Sequence, residues 1–464
     1  MNKYILVVFL NIIFLSINAQ NYTRAELTTD INFLQTQLFE KHSGLDTYAS
    51  LEEINITLNQ MKATLPDSMS AIQFYGHISP ILSTIKDGHT MLLPPSVYLE
   101  KSNTDSLFLP LRMFNSGDKL YVELNYLPED KIPNGSEIIS INGVPAAVIL
   151  NTMLNGMMRD GHNDAYARWA LNWWFAEYFS YWYDHPAKYQ IQFINPEGVL
   201  QNVIIDGATK EAYNEYRAKR YPNRSFTRTY DHKPGTAVVF TLDTIHSIAI
   251  MKIKDWDEAV LKNTYHQKLR KTIDSCFDSI FLFHIQHLVI DIRDNQGGSL
   301  VNSKHVLSYL LNTSFDLVDN YYKVSNPALD AGNSRYKKTS GENSKSNKIR
   351  KEIYTGKVYV LTNGGSFSNS GLFASTLKRN NRALFIGEET GGSIYSLNAN
   401  TKSLTLPNTQ IQFELTTKRF AINESIPNAG RGLIPDYVVH PTITNLVEGR
   451  DVILEKALDV IQGN

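Results

Sequence analysis

The chain has 464 residues, 42% hydrophobic and 20% charged, with a formal net charge of −1. That length implies two or three domains with ample core in each, and the balanced charge argues against nucleic acid as the main partner. Cys276 is the only cysteine, which excludes an intramolecular disulfide and a cysteine metal cluster.

Residues 1–20 hold one lysine and then an apolar run shorter than the ~20 residues that span a bilayer. Small residues follow near Ala19. The pattern reads as a secretory signal over 1–19, cleaved so that the mature chain starts near Gln20; a retained anchor or a buried helix is the alternative. No later segment is apolar enough to cross a membrane, and Cys276 lies too far from the signal to take a lipid at a mature terminus. A sizeable exported chain without disulfides suits a bacterial periplasm or secretion.

Residues 20–100 read as a helical domain. Ile31, Leu34 and Leu38 share one helix face, with Gly44 as a stop; Ile72, Tyr75, Ile78, Leu82 and Ile85 form a second stripe that Gly88 ends. His89, in Lys86-Asp-Gly-His-Thr90, is expected just past a helix C-terminus, where a partial negative charge favours the protonated ring. Such a place suits a base and equally an ordinary capping histidine.

Residues 105–207 change character. Lys119-Leu-Tyr-Val-Glu-Leu124 alternates like a strand, and Ile132-Pro-Asn-Gly-Ser-Glu-Ile-Ile-Ser-Ile-Asn-Gly-Val144 reads as turn, strand and a tight Asn142-Gly143 turn. This resembles the PDZ signature, whose domains take extended peptides along a sheet edge. A β-rich spacer without a ligand is the alternative, and the aromatic stretch from Trp169 to Trp182 reads as core.

From 235 to 445 strands and helices alternate, the pattern of an α/β domain. Strands are expected over 247–253, 288–292, 357–361 and 383–386, with helical stretches over 257–283 and 369–380 and a hairpin over 403–420 around Pro407-Asn408. Residues 329–350 are polar and basic and read as an exposed loop or flap.

Two strands of this region end in glycine turns: His287-Leu-Val-Ile-Asp-Ile-Arg-Asp-Asn-Gln-Gly-Gly298 and Leu361-Thr-Asn-Gly-Gly-Ser-Phe-Ser-Asn-Ser370. In a parallel sheet the strand C-termini line a common crevice. The second turn puts hydroxyls at a helix start, where free N–H groups gather. A serine needs a base and oxyanion donors before it is a useful nucleophile. Residue type alone does not rank Ser366, Ser368 and Ser370, and each is equally a helix cap.

The combination resembles the carboxyl-terminal processing (tail-specific) peptidases, above all the branch related to the tricorn core peptidase and to interphotoreceptor retinoid-binding protein. The resemblance runs from about 70 to 445 through Asp87-Gly-His-Thr, the PDZ-like 135–143 segment, both glycine turns, Ile386-Gly-Glu-Glu-Thr-Gly-Gly392 and Gly430-Arg-Gly-Leu-Ile-Pro-Asp436. It implies a multi-domain α/β fold: an N-terminal helical segment, a PDZ-like β-rich domain and an α/β crotonase-like (ClpP/crotonase) catalytic core over 235–445. It also implies that Ser368 is the nucleophile, with the N–H of Asn369 and that of Gly297 or Gly298 as the oxyanion hole.

The tail-specific branch uses a lysine base at the position that Ser393 occupies here, so the resemblance favours the tricorn-like branch and His89 as base. That branch orients its histidine with a glutamate just before Gly-x-x-Pro-Asp, where this chain reads Pro427-Asn-Ala-Gly430; Glu424 is the nearest substitute, with Glu388 and Glu389 as weaker ones. The implied activity is that of an exported serine endopeptidase acting on unfolded or extended polypeptide. No cofactor and no metal are expected, since the chain has no HExxH and no clustered Cys/His set. The alternative is a weak or inactive protein that binds peptides or apolar ligands on the same scaffold.

Overall fold

The continuous apolar runs at 288–290 and 358–361 are those of strands buried on both faces. They form the centre of a six-stranded sheet in the order Val238–Asp243, Ile248–Ile253, His287–Asp291, Lys357–Thr362, Leu384–Gly387, Tyr437–Val438. The first pair is antiparallel and the remainder parallel, with Ile290 opposite Val360 and Leu361 opposite Ile386. The structure, a computed structural model, describes residues 20–104, 106–127, 129–221, 235–325, 334–341, 347, 349–425, 427 and 429–463. The signal read at 1–19 lies outside them.

Strand alternation sends Leu288, Ile290, Val358 and Val360 to one face, where Ile273 and Phe277, Val306 and Leu307, and Leu372 and Phe373 pack from three helices. Val289, Tyr359, Leu361 and Ile386 go to the other face, under Ile453 and Ala457 of helix Val452–Gln462. Each fully buried Leu, Ile or Phe there contributes about 1.5–3 kcal/mol relative to exposure.

The segment 111–206 makes an antiparallel sheet ordered Leu111–Ser116, Lys119–Asn125, Glu137–Ile141, Lys188–Ile194, Leu200–Asp206. Asn142 and Gly143 both have positive φ, 50° and 77°, as the tight turn requires. Helix Ala165–Tyr183 buries Trp169, Phe175 and Phe179 in this core, together with Phe367 from the serine turn.

Near the N-terminus, Leu27, Ile31, Leu34 and Leu38 of helix Arg24–Lys41 pack on Ile54, Leu58, Phe74 and Ile78. The apolar stripe at 72–85 does not form one helix: it is split into Ala71–Ile78 and Ile81–Ile85, because Pro80 has no N–H to continue the ladder. Lys86, at φ 58°, closes the second helix, so His89 lies beyond its terminal turn.

The hairpin is longer than the alternation suggested, with strands Ser396–Thr405 and Gln412–Ala421. Its tip buries Leu406, Ile411 and Phe413 in the N-terminal helical core, and Asp30 accepts the N–H groups of Asn408 and Thr409 at 2.9 Å. Strand Met91–Leu93 pairs with it, Phe413 opposite Leu92. The stretch read as a loop at 329–350 contains strand Tyr336–Thr339, paired with Asn320–Val324; its polar side chains hid a sheet edge. Residues 329–333, 342–346 and 348 of that stretch lie outside the described residues. No helix among the described residues is long and apolar enough to cross a membrane.

Arg293 joins the central sheet to the C-terminal helix, donating to Asp291 at 2.8 Å and to Asp451 at 2.6 Å. Burial opposes the charge on Asp291, but Arg293 and Lys252 hold its carboxyl well below the usual range. Replacing Arg293 by Ala leaves this buried carboxylate with Lys252 at 3.6 Å as its remaining charged partner, beside the main-chain N–H of residue 293 at 3.0 Å, and is expected to cost about 3–5 kcal/mol in urea unfolding at neutral pH. A carboxyl with a lowered folded pKa stabilises above its unfolded pKa and loses that contribution as pH falls through the folded value. The difference between wild type and variant should therefore shrink as the medium is brought down to about pH 2.

Candidate active site

Ser368 stands between the end of strand Lys357–Thr362 and helix Asn369–Arg379, with φ 53° and ψ −118°. An L-residue held there stores about 1–3 kcal/mol of strain, which surrounding contacts must sustain. They do so from both sides. Phe367 N–H donates to the Asn295 carbonyl at 3.1 Å, and Gly392 N–H donates to the Ser366 carbonyl at 3.2 Å. The Asn363 side chain takes the N–H groups of Asp294 and Gly365.

The hydroxyls of the turn differ in their commitments. Ser366 Oγ donates to the Ile292 carbonyl at 2.9 Å, and Ser370 Oγ accepts the Trp256 indole N–H at 2.9 Å; both serines are fully buried. Ser368 is partly open, and its Oγ lies 2.9 Å from His89 Nε2, across 279 residues of sequence.

His89 stacks on Phe367 at 4.9 Å, and Phe367 in turn meets Tyr166 at 4.3 Å. The turn before it is anchored by Asp87, whose Oδ1 accepts the His89 N–H at 3.1 Å. Asp87 Oδ2 meets His42 Nε2 at 2.8 Å and accepts the hydroxyls of Thr90 at 2.6 Å and Thr416 at 2.7 Å. Burial works against ionising Asp87, yet the bond and charge of His42 hold its carboxyl well below the usual range. Burial pushes the His89 ring below the ordinary histidine value, and Asp87 opposes this only in part. The helix-end effect expected to favour a protonated ring is thus outweighed by desolvation, since the ring is beyond that terminal turn.

Glu424 does not reach the histidine. Its carboxylate accepts the Asn320 amide and the Tyr322 hydroxyl, because Ala421 pairs with Asn320 and leads the following residues along that strand. Glu388 meets His440 at 3.3 Å, and Glu389 is bound to Arg431 and to Gly432 N–H. His89 Nδ1 is buried with no hydrogen-bond partner among the described residues.

Gly297 abuts Ser368: a Cβ built on it would lie 2.7 Å from Ser368 Cβ, and its φ is +106°. Its N–H, however, donates to the Asn295 side chain at 3.0 Å, so it is not a free oxyanion donor. The N–H groups of Gly298 and Asn369 have no partner among the described residues. The latter is one of the open donors of a helix start. Ser393, where a base lysine would stand, is buried and caps the N–H groups of Tyr395 and Ser396 at 3.1 and 3.3 Å.

Sequence reading missed Asp160. The only local hint was that Asp160-Gly-His162 repeats the tripeptide Asp87-Gly-His89. Its buried carboxylate accepts Gly88 N–H at 2.9 Å and Ser393 N–H at 3.2 Å. Ligand-type atoms of Asp87, His89 and Asp160 lie within 4.8 Å of one another. The carboxylate oxygens accept N–H and O–H donors, which ties these residues into one hydrogen-bonded network.

Residues 247–439 match the model of peptidase family S41. A curated relative, "Probable CtpA-like serine protease" of Staphylococcus epidermidis, is 26% identical over 178 residues. The match covers 34% of this chain and spans about a third (33%) of the length of that relative. Among solved structures, mature CPAF superposes with a TM-score of 0.66 at 14% identity, over 95% of this chain and 98% of that one. Mature CPAF complexed with lactacystin gives 0.67 at 15%, over 95% and 99%. At such identities these two show the shared fold. The segment that matches the family S41 model holds the Ser368 turn, both glycines and the central parallel strands, whereas His89 and Asp160 precede it.

Proposed function

We propose that the protein is a serine peptidase in which Ser368 is the nucleophile and His89 its base. One observation above all supports this: the only turn hydroxyl left uncommitted by main-chain or indole bonds lies 2.9 Å from an imidazole nitrogen. Ser368 Oγ attacks a peptide carbonyl while its proton passes to Nε2. The proton on Nδ1 stays in place, and the imidazolium later protonates the leaving amine. The Gly298 and Asn369 N–H groups receive the oxyanion, a contribution worth about 10²–10³ in rate per donor in comparable sites. Water then releases the acyl group by the reverse proton path.

The reading extends to extended or unfolded polypeptide as substrate, presented along the PDZ-like sheet at 111–206, and to export through the apolar leader. Edge-strand capture suits a chain with no fixed side-chain sequence, since main-chain hydrogen bonds supply the affinity.

A fluorophosphonate probe is expected to label the folded protein at Ser368. Ser368→Ala should abolish labelling, and His89→Ala should slow it at least about 10³-fold. Ser366→Ala and Ser370→Ala should lower thermal stability while keeping the label, and Glu424→Gln should label within about twofold of wild type. A folded wild-type protein that takes no label would end the peptidase reading.

Neutral His89 is the competent form, so peptide hydrolysis should fall as the medium is made acidic and the ring takes up a proton. A rate that stays level between about pH 5 and 8 would rule out a histidine base. Gly297→Ala should lower kcat by pushing Ser368 from its turn, read as slower labelling in a protein that still melts cooperatively.

A further inference from the structure

The segment 160–163 clasps the loops that form the site. Asp160 binds Gly88 and Ser393 through its carboxylate, and Gly161 N–H donates to the Lys86 carbonyl at 2.9 Å. His162 N–H donates to the Gly430 carbonyl at 2.8 Å, and the Asn163 amide donates to the Thr390 carbonyl at 2.7 Å. Asp160 is 1% exposed. It takes no ion-pair partner among the described residues; its two bonds come from main-chain N–H groups, one adjacent to His89 and one on the loop packed behind Ser368.

We propose that Asp160 is the positioning residue of the His89 base, filling the orienting role for which Glu424 is out of place. It fixes the turn that aims the ring at Ser368, and it places a carboxylate within 4.8 Å of the ring, where imidazolium charge develops during proton transfer. The inference rests on the serine-peptidase reading. Asp87 is less able to respond, because His42, Thr90 and Thr416 already bind it.

The titratable groups around Asp160 are few. Asp87 and His89 face it from the clasped turn. On the other loop Glu389 is bound to Arg431, and in its own segment Arg159 donates to the Leu154 carbonyl while His162 contacts Tyr48. Burial, and after it the charge of Asp87, raises the Asp160 carboxyl to about 7. Its charge is therefore present above that pH and lost below it, so in wild type the acidic loss of activity includes this step. Without the carboxylate the remaining step belongs to His89 alone, which burial holds below the ordinary histidine value.

The test is the second-order rate of Ser368 labelling by a fluorophosphonate, measured against pH in full-chain wild type and Asp160→Asn. Asp160→Asn should label about 10–100-fold more slowly at alkaline pH, with its acidic limb moved to lower pH. A variant that labels within about twofold of wild type overturns the inference and leaves the peptidase reading standing. A slower variant whose limb does not move also overturns it, because that is the signature of a merely structural residue. A wild type that takes no label ends both readings. A second readout needs no variant: the His89 ring resonance of wild type should titrate in two steps, one of them that of Asp160, and a single step would count against the proposal.

Discussion

One hydrogen bond organises the functional half of this protein: the contact between the His89 imidazole and the Ser368 hydroxyl, drawn from regions 279 residues apart. Neither partner is brought there by its own neighbours in sequence. Ser368 is carried by the C-terminal end of a central parallel strand, while His89 belongs to the N-terminal helical unit. What joins the two is the hairpin 396–421. Its tip is buried among the N-terminal helices, and its second strand pairs with Met91–Leu93, immediately after the histidine. A hydrophobic tip and a three-residue ladder thus help to set the position of the His89 ring.

The strain at Ser368 is sustained by packing around it. A side chain at φ 53° points its hydroxyl away from the helix it begins and leaves the next N–H open. Holding that conformation requires fixed neighbours, and both glycine-containing loops supply them. Gly297 approaches so closely that even a methyl group would collide with Ser368, which is why a residue without Cβ stands there. Phe367, wedged between His89 and Tyr166, ties the same turn to the aromatic helix Ala165–Tyr183.

Buried charge is handled by two different means. Asp87 is surrounded by donors, a ring nitrogen and two hydroxyls among them, and its carboxyl stays strongly acidic despite burial. Asp160, close by, receives main-chain N–H groups only, and desolvation moves its carboxyl the other way. Two carboxylates so near each other do not both ionise without cost, and their environments separate them. The result is a fixed anion behind the histidine turn and a second group whose charge responds to pH in the neutral range.

The local patterns of the chain already contained much of its architecture. The apolar runs at 288–290 and 358–361, the glycines that follow them and the Asn142-Gly143 turn are short-range features, and short-range sterics and hydrophobic periodicity determine them. The polar strand Tyr336–Thr339 escaped notice because its neighbours on the sheet, not its own side chains, make it a strand. The serine turn was equally legible, but which of its hydroxyls is left free was decided by Ile292 and Trp256, residues distant in sequence. Strand register likewise carried Glu424 to Asn320 and Tyr322, and a clasp from an unremarked turn put Asp160 beside His89. Sequence alone could determine the elements and their turns, because those follow from contacts a few residues long. Only the tertiary structure could decide which groups meet, because sheet register and loop packing, summed over the whole chain, set those distances.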